Sequence, residues 1–374
     1  MSEAERADLP TRHGDGIVEG AQPKAFTAAW WLVRFVMALF LFVGALQVMK
    51  MGAASLSVLN NQGFLVHNAA STFGLGWLGA LLVLSGSPVA ASALTLVSAD
   101  SISEVQGFTM LTGSRLGAAF VVLLVAVLYA LRGGEGKRMA PVSTAVMALS
   151  ATALIYVPGS LIGFGLLRWG PFRSTDLQFP AQFTDLIDLV YADLLALIES
   201  WPALVLFVGG LAILLVAFKL LDTVVPELSD ETIESTRMAW LKKKWPMFAL
   251  GCLVALVAMS VSVALTVLVP LVAKGYVKRE DILPYIIGAN ITTLGDTLLA
   301  AFLLNSPAAV RIVIASILGT TVVSLILLGF FYPRIRSGVW RFQRQMVRSK
   351  PRLATFTAAL FLVPVSIIVI AGVA

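Results

Sequence analysis

Two serine pairs, at residues 85–87 (Ser-Gly-Ser) and 260–262 (Ser-Val-Ser), interrupt long apolar runs and constrain the fold more than any other feature. Each pair is followed after the same interval by a glycine that opens a polar break, at 113–115 (Gly-Ser-Arg) and 288–290 (Gly-Ala-Asn). The shift that carries Ser85 onto Ser260, here called the repeat offset, also carries Gly113 onto Gly288, so both interruptions superimpose without a gap. A duplicated, broken membrane segment with polar residues at its centre is typical of secondary transporters.

The composition predicts a helical membrane protein. The chain is 58% hydrophobic and only 13% charged, with a mean hydropathy of +0.90. Apolar runs of about 20 residues recur without alternation, which predicts an all-α polytopic membrane protein rather than a barrel. His13 and His67 are the only histidines and Cys252 is the only cysteine, which argues against a histidine zinc site, a Ser-His-Asp triad and an intrachain disulfide. Because no ATP-binding loop or hydrolase motif occurs in a suitable context, we expect neither enzymatic activity nor a bound cofactor.

The apolar segments divide the chain into two halves around a polar insert. We expect a cytoplasmic tail at 1–25, a first transmembrane repeat at 26–167, an extracytoplasmic loop at 168–200, a second repeat at 201–331, a basic cytoplasmic segment at 332–353 and a terminal transmembrane helix at 354–374. Within the loop, residues 183–195 place acids on one side of a helical apolar pattern, which indicates an amphipathic helix on the membrane surface or, alternatively, one that docks a partner. Residues 41–46 and 206–211, early in each half, share five of six residues.

The distribution of Lys and Arg decides whether the serine-containing segments 74–99 and 246–273 cross the bilayer. With a cytoplasmic N-terminus, full crossing places 15 basic residues inside and 10 outside, whereas two re-entrant hairpins place 21 inside and 4 outside. Because cytoplasmic loops carry the excess of Lys and Arg, hairpins are favoured. Each arm has only about 12 residues, too short to cross about 30 Å as a helix.

Hairpins make the two halves inverted copies of each other. The first hairpin then enters from outside, beside the acidic loop at Asp100 and Glu104, and the second enters from the cytoplasm, beside Lys274, Lys278 and Arg279. Two inverted repeats, each with a re-entrant hairpin and a broken helix, form the geometry that gives alternating access to a site near the bilayer midplane.

The hairpin tips are the candidate binding site. Backbone groups freed at a tip need a polar cavity or a ligand inside lipid. Helix N-termini favour anions and free carbonyls favour cations, so two facing tips can hold an oxyanion together with alkali cations. Serine hydroxyls add to both tips, although serine in a membrane helix often only bonds its own backbone. The candidates are Ser85, Ser87, Ser260 and Ser262.

Charged and polar residues at the two later breaks extend this site. Arg115, next to Ser114, is costly at membrane depth, and its planar guanidinium suits phosphate or carboxylate. Three alternatives remain open for it: direct contact with an anion, an ion pair with Asp296, or extension to the membrane interface. Asp296 could itself bind a cation. The second break also offers oxygen ligands of the kind that hard cations need, on Asn290, Thr292 and Thr293.

These residues resemble motifs of the sodium–phosphate cotransporter family, the type II group with bacterial relatives. That family carries two inverted copies of Gln-Ser-Ser-Ser, each followed by Gly-Ala-Asn-Ile-Gly-Thr. Residues 84–87 (Leu-Ser-Gly-Ser), 259–262 (Met-Ser-Val-Ser) and 288–293 (Gly-Ala-Asn-Ile-Thr-Thr) are similar to these elements, and the likeness covers roughly 35–132 and 201–330. The resemblance implies that the serine tips hold phosphate and sodium between the halves, with sodium on Ser85, Ser260, Asn290 and Thr293.

Several family residues are replaced in this chain. Both glutamines and both middle serines are missing, and the first Gly-Ala-Asn has become residues 113–115 (Gly-Ser-Arg). Loss of polar ligands should alter a sodium site, whereas Arg115 adds fixed positive charge near the anion. One hypothesis is that Arg115 takes the place of one sodium ion and leaves fewer coupled cations.

The sequence therefore predicts a sodium-coupled transporter of inorganic phosphate, working by alternating access in the plasma membrane, with its N-terminus in the cytoplasm. A carrier or exporter of another oxyanion and a non-transporting membrane sensor or scaffold are the alternatives. The basic segment 332–353 predicts contact with anionic lipid rather than nucleic acid. A homodimer is a further possibility.

Overall fold

The protein is helical throughout the residues that the computed structural model describes, which are 24–55, 66–132, 139–170, 181–224, 243–273 and 277–373; no strand occurs in these ranges. The first half contains α1 (Lys24–Ser55), α2 (Ala69–Val83), α3 (Ser87–Ser98), α4 (Glu104–Ala118), α5 (Phe120–Arg132) and α6 (Met139–Trp169). The connecting helix is α7 (Ala181–Ile198). The second half contains α8 (Ala203–Val224), α9 (Lys244–Ala258), α10 (Val261–Thr266), α11 (Leu268–Ala273), α12 (Leu283–Thr292), α13 (Gly295–Leu303), α14 (Pro307–Gly329), α15 (Tyr332–Val347) and α16 (Lys350–Val373).

Seven stretches of the described residues are long and apolar enough to cross a membrane. They are Leu32–Ser55, Glu104–Leu131, Ala140–Trp169, Ala203–Leu221, Leu283–Leu303, Pro307–Gly329 and Lys350–Val373. The prediction of an all-helical, multi-pass membrane protein is thereby confirmed. The apolar segments 74–99 and 246–273 contribute no span, because each is divided into shorter helices. Residues 1–23 of the predicted tail and Lys274 lie outside the described residues.

Each serine pair lies where one helix stops and the next begins. Helix α2 is capped at its start by the Asn68 side chain, which accepts from the backbone N–H groups of Ala70 and Ser71, and it ends at Leu84 with φ of 58°. Helix α9 ends in the same way at Met259, with φ of 47°. A left-handed residue other than glycine costs about 1–2 kcal/mol, so both helix ends need support from their surroundings.

The position predicted for the second break in each half is wrong. Residues 113–115 lie inside α4, and the helix is interrupted only at Ala119; residues 288–290 lie inside α12, and the interruption follows at Thr293 and Leu294. The glycines have a packing role instead. A Cβ on Gly113 would lie 2.1 Å from the Phe73 carbonyl oxygen, so only glycine lets α2 and α4 come this close. Small residues serve the same purpose in other membrane helix pairs.

The same close crossing recurs between α9 and α12. A Cβ on Gly288 would lie 2.2 Å from the Phe248 carbonyl oxygen, and the repeat offset carries Phe73 onto Phe248 just as it carries Gly113 onto Gly288. Two further close approaches are related by the repeat offset. A Cβ on Gly76 would lie 2.0 Å from the Met110 carbonyl oxygen, and a Cβ on Gly251 would lie 2.1 Å from the Tyr285 carbonyl oxygen. The repeat offset also carries both ends of α2 onto the corresponding ends of α9.

The buried core consists of two clusters, and each draws on both halves of the chain. One joins α1, α3 and α4 to α13 and α14, around residues such as Leu46, Leu94 and Leu304. The other joins α5 and α6 to α9, α10, α11 and α12, around Val122 and Ile286. Because the halves interlock in this way, the interruptions after α4 and α12 lie inside the protein rather than at its edge.

Two amphipathic helices flank this core. Helix α7 attaches to α1 through Tyr191, whose ring lies against Gly44 and whose hydroxyl donates to the Phe40 carbonyl at 2.7 Å. Burial raises the pKa of the Tyr191 phenol, so the hydroxyl stays protonated and can donate. Helix α15 carries four arginines, and Arg336 forms a salt bridge with Glu280 at 3.0 Å.

Candidate functional site

Arg115 is the largest fully buried side chain among the described residues, with 1% of its surface exposed. Its guanidinium leaves α4 toward the start of α13, where Nη2 donates to the Thr297 hydroxyl and lies 3.8 Å from Asp296 Oδ1. Of the three alternatives given for Arg115, the ion pair with Asp296 is therefore the one seen here. The direct contact is long, and the Thr297 hydroxyl bridges the two charged groups. A charge this deep in a membrane protein is expensive and is retained when it is paired or binds something.

Asp296 is held at the first turn of α13. Its Oδ1 accepts from the backbone N–H of Thr297 and, at 2.8 Å, from the Thr297 hydroxyl. The positive end of the helix dipole also favours a carboxylate there. At the opposite end of α13, Lys50 Nζ donates to the Leu304 carbonyl at 3.2 Å. Helix α13 thus carries an acid in its first turn, and a lysine of α1 bonds its C-terminal end.

Three buried polar atoms of this pair make no hydrogen bond within the described residues: Arg115 Nε, Arg115 Nη1 and Asp296 Oδ2. Buried polar groups are nearly always bonded, and leaving one unbonded costs about 1–3 kcal/mol, or more for a charged group. Two donors of one guanidinium and one carboxylate oxygen are the groups that an oxyanion and a cation would bind. The free atoms therefore make this pair the candidate ligand site.

A polar network between α6 and α12 lies close to the pair, and Tyr156 interacts with the charges of both Arg115 and Asp296. The Tyr156 hydroxyl donates to the Asn290 carbonyl at 2.7 Å, and the Thr293 hydroxyl donates to the same oxygen at 3.4 Å. The Thr152 hydroxyl lies 3.2 Å from Asn290 Nδ2, which also donates to the Ile286 carbonyl at 2.8 Å. The network is shielded from lipid, because its four side chains are all buried: Thr152, Tyr156, Asn290 and Thr293.

The first serine pair reaches this site. A Cβ on Gly86 would lie 2.9 Å from the Ser114 carbonyl oxygen, so the tip between α2 and α3 rests directly on α4. Ser87 is buried and its hydroxyl lies beside the Asp296 carboxylate. Ser114 is fully buried and its hydroxyl donates to the Leu111 carbonyl at 2.7 Å. Ser85 is half-buried and makes no hydrogen bond within the described residues.

The second serine pair is placed differently. The Ser260 hydroxyl caps α10 by accepting from the Val263 N–H at 3.3 Å, and no described hydrogen bond links it to Arg115 or Asp296. Ser262 belongs to α10, but its side chain lies outside the described part of the structure. The Thr292 hydroxyl donates to the Cys252 carbonyl at 2.8 Å, which ties α12 to α9.

The structure therefore brings together six of the predicted site residues: Ser87, Ser114, Arg115, Asn290, Thr293 and Asp296. It adds three that were missed, namely Thr297, Tyr156 and Thr152. Thr297 follows Asp296 directly and could have been proposed from that position. Thr152 and Tyr156 are four residues apart on one side of the apolar span α6, and such a polar stripe was the available signal for them.

The fold and this site define a class of protein: a multi-pass, all-helical membrane protein with a buried charged centre between interlocked halves. Residues 213–371 match the model of the Na+/Pi-cotransporter family, which confirms the family recognised in the sequence for this part of the chain. Searches among curated proteins and among solved structures found no match.

Proposed function

We propose that the protein is a secondary transporter of inorganic phosphate, coupled to sodium, with a site at Arg115 near the middle of the membrane. The observation that carries this proposal is the pair of unbonded guanidinium nitrogens on a buried arginine. The family match over residues 213–371 supports phosphate as the anion and sodium as the coupling ion.

Internal duplication supports an alternating-access mechanism. Positions related by the repeat offset share helix bounds in α2 and α9, left-handed residues at Leu84 and Met259, and glycine crossings onto the neighbouring helix. The contacts between the halves follow the same relation. Helix α3 corresponds to α10 and α5 to α13; α3 contacts α13, and α10 contacts α5. Random similarity between apolar helices would not reproduce contacts of this kind.

The lengths of the helices support inversion of the two copies. At 1.5 Å per residue, α2 (15 residues) and α3 (12 residues) span only about 22 Å and 18 Å, short of the roughly 30 Å hydrocarbon layer. If both serine-containing segments return to the side from which they enter, three spans precede α8. Helix α8 then runs opposite to α1, its counterpart, and the two hairpins enter from opposite faces.

In this mechanism the halves rock around the fixed charged centre and expose it to one side at a time. The anion binds Arg115 beside Ser87 and Ser114, and sodium binds oxygen atoms near it. The cytoplasmic N-terminus and a plasma-membrane location remain part of the proposal. Helix α15, with four arginines, would then rest on anionic lipid at the cytoplasmic surface.

Uptake of radiolabelled phosphate into proteoliposomes tests the function. We expect accumulation under an inward sodium gradient and its loss to background in Arg115→Ala. The matched control is Arg34→Ala, because Arg34 is an exposed arginine of span α1 that lies over the Trp30 ring, 5.1 Å from its centroid.

The outcomes separate the alternatives. Accumulation of another oxyanion, but not phosphate, with the same loss in Arg115→Ala would replace the substrate and keep the transporter. Accumulation of no anion under any cation gradient would exclude transport and favour a sensor or scaffold. Equal uptake in wild type and Arg115→Ala would remove Arg115 from the site.

A further inference from the structure

We propose that Asp296 is the residue that couples the cation to the anion. Without ligands its carboxylate balances the charge of Arg115; when an anion binds Arg115, the carboxylate exchanges the arginine for a sodium ion. This inference rests on the proposed function, because it takes the anion to be the ligand of Arg115.

The geometry of the pair favours such an exchange. A direct arginine–carboxylate pair has N–O distances of about 2.7–2.9 Å and commonly two parallel bonds. Here a single contact of 3.8 Å joins Arg115 Nη2 to Asp296 Oδ1, and the Thr297 hydroxyl bridges the two groups. Asp296 therefore holds the arginine mainly through Thr297, and the arginine keeps Nε and Nη1 for a second partner.

The carboxylate has a matching free position. Asp296 Oδ2 makes no hydrogen bond within the described residues, and the Ser87 hydroxyl lies beside the carboxylate. A carboxylate oxygen and a hydroxyl are hard ligands of the type that alkali and alkaline-earth cations prefer. Both side chains are buried, with 1% of Asp296 and 6% of Ser87 exposed. A cation at this position would be shielded from water.

Charge balance makes anion and cation binding cooperative. Arg115 and Asp296 together carry no net charge, so phosphate alone would leave at least one uncompensated negative charge in a buried site. A sodium ion on Asp296 Oδ2 compensates one such charge. The favourable interaction must be reciprocal, so that sodium tightens phosphate binding by the same factor as phosphate tightens sodium binding, typically about 5- to 150-fold.

Equilibrium binding of radiolabelled phosphate to the purified full chain, in sodium chloride or choline chloride at equal ionic strength, tests this inference. Wild type should bind phosphate about 5- to 150-fold more tightly in sodium. Asp296→Asn should bind phosphate with the same affinity in both salts, because Arg115 no longer has a carboxylate whose charge needs compensation. The matched control Glu104→Gln removes a carboxylate that pairs with Arg311 at another place in the fold, and it should keep the full sodium effect.

Ser87→Ala gives a test that does not depend on removing the buried charge. It should raise the sodium concentration for half-maximal effect by a larger factor than it weakens phosphate binding at saturating sodium. A wild-type sodium effect in Asp296→Asn, or an unchanged sodium requirement in Ser87→Ala, would overturn the inference even if phosphate is transported. Failure of the proposed function would differ, because wild type would then bind no phosphate in either salt.

Discussion

Replacing Gly113 or Gly288 by alanine should destabilise the protein by similar amounts. A Cβ at these positions would lie 2.1 Å from the Phe73 carbonyl oxygen and 2.2 Å from the Phe248 carbonyl oxygen, whereas ordinary contact begins at 3.4 Å. Each helix pair must therefore separate by about 1 Å, because a carbonyl in a helix cannot rotate away as a side chain can. Overpacking of this kind costs about 1–3 kcal/mol and occasionally more, partly offset by about 0.5–1 kcal/mol from the higher helix propensity of alanine.

Reversible unfolding in a denaturing detergent, followed by circular dichroism, measures this loss. Gly209→Ala in α8 is the matched control, since a Cβ there meets no atom within 4 Å; it should stabilise the protein by a few tenths of a kcal/mol up to about 1 kcal/mol. Unfolding free energies of Gly113→Ala and Gly288→Ala within about 0.5 kcal/mol of wild type would contradict the close crossings. Destabilisation at only one site would contradict the equivalence of positions related by the repeat offset.

Two further predictions concern the support of the site. Tyr156→Phe removes the hydroxyl that donates to the Asn290 carbonyl, so it should lower the unfolding free energy by about 1 kcal/mol and slow phosphate uptake. Tyr129→Phe, on the exposed face of α5, is the control and should change neither stability nor uptake. Lys50→Met removes the donor to the Leu304 carbonyl at the end of α13 and should lower the unfolding free energy by about 1–3 kcal/mol, with reduced uptake because α13 carries Asp296. Lys219→Met, at an exposed lysine, serves as control. Wild-type stability and uptake in either site variant would contradict the role assigned to that residue.

Much of the architecture could be predicted because it depends on properties that are local in the sequence. Apolar length gives the spans, and the serine pairs mark the positions where α2 and α9 end. The pairing of Arg115 with Asp296 was also within reach, because a buried charge needs a partner and only one acid lay near the equivalent position.

What the sequence could not place depends on contacts between distant helices. The glycines at 113 and 288 were interpreted as helix breaks, since glycine weakens an isolated helix. In the folded protein their missing side chains admit a neighbouring backbone, and the helices continue to Ala118 and Thr292. The Tyr156 hydroxyl bonds a carbonyl 134 residues away, so no local pattern indicates its partner.

The repeat offset also explains why the charged centre is asymmetric. It relates Arg115 to Asn290, so equivalent positions of two similar frameworks carry different chemistry. The Asn290 amide is bonded at both ends: Nδ2 lies close to the Thr152 hydroxyl and donates to the Ile286 carbonyl, and Oδ1 lies 3.3 Å from the same hydroxyl. Arg115, in contrast, keeps two nitrogens unbonded. The amide expected to bind sodium is thus committed to holding α12 against α6. The free oxygen of Asp296 is the better acceptor for a cation, since binding there breaks no existing hydrogen bond at that atom. A site built in this way would hold anion and cation on adjacent residues, and their opposite charges would link the two movements.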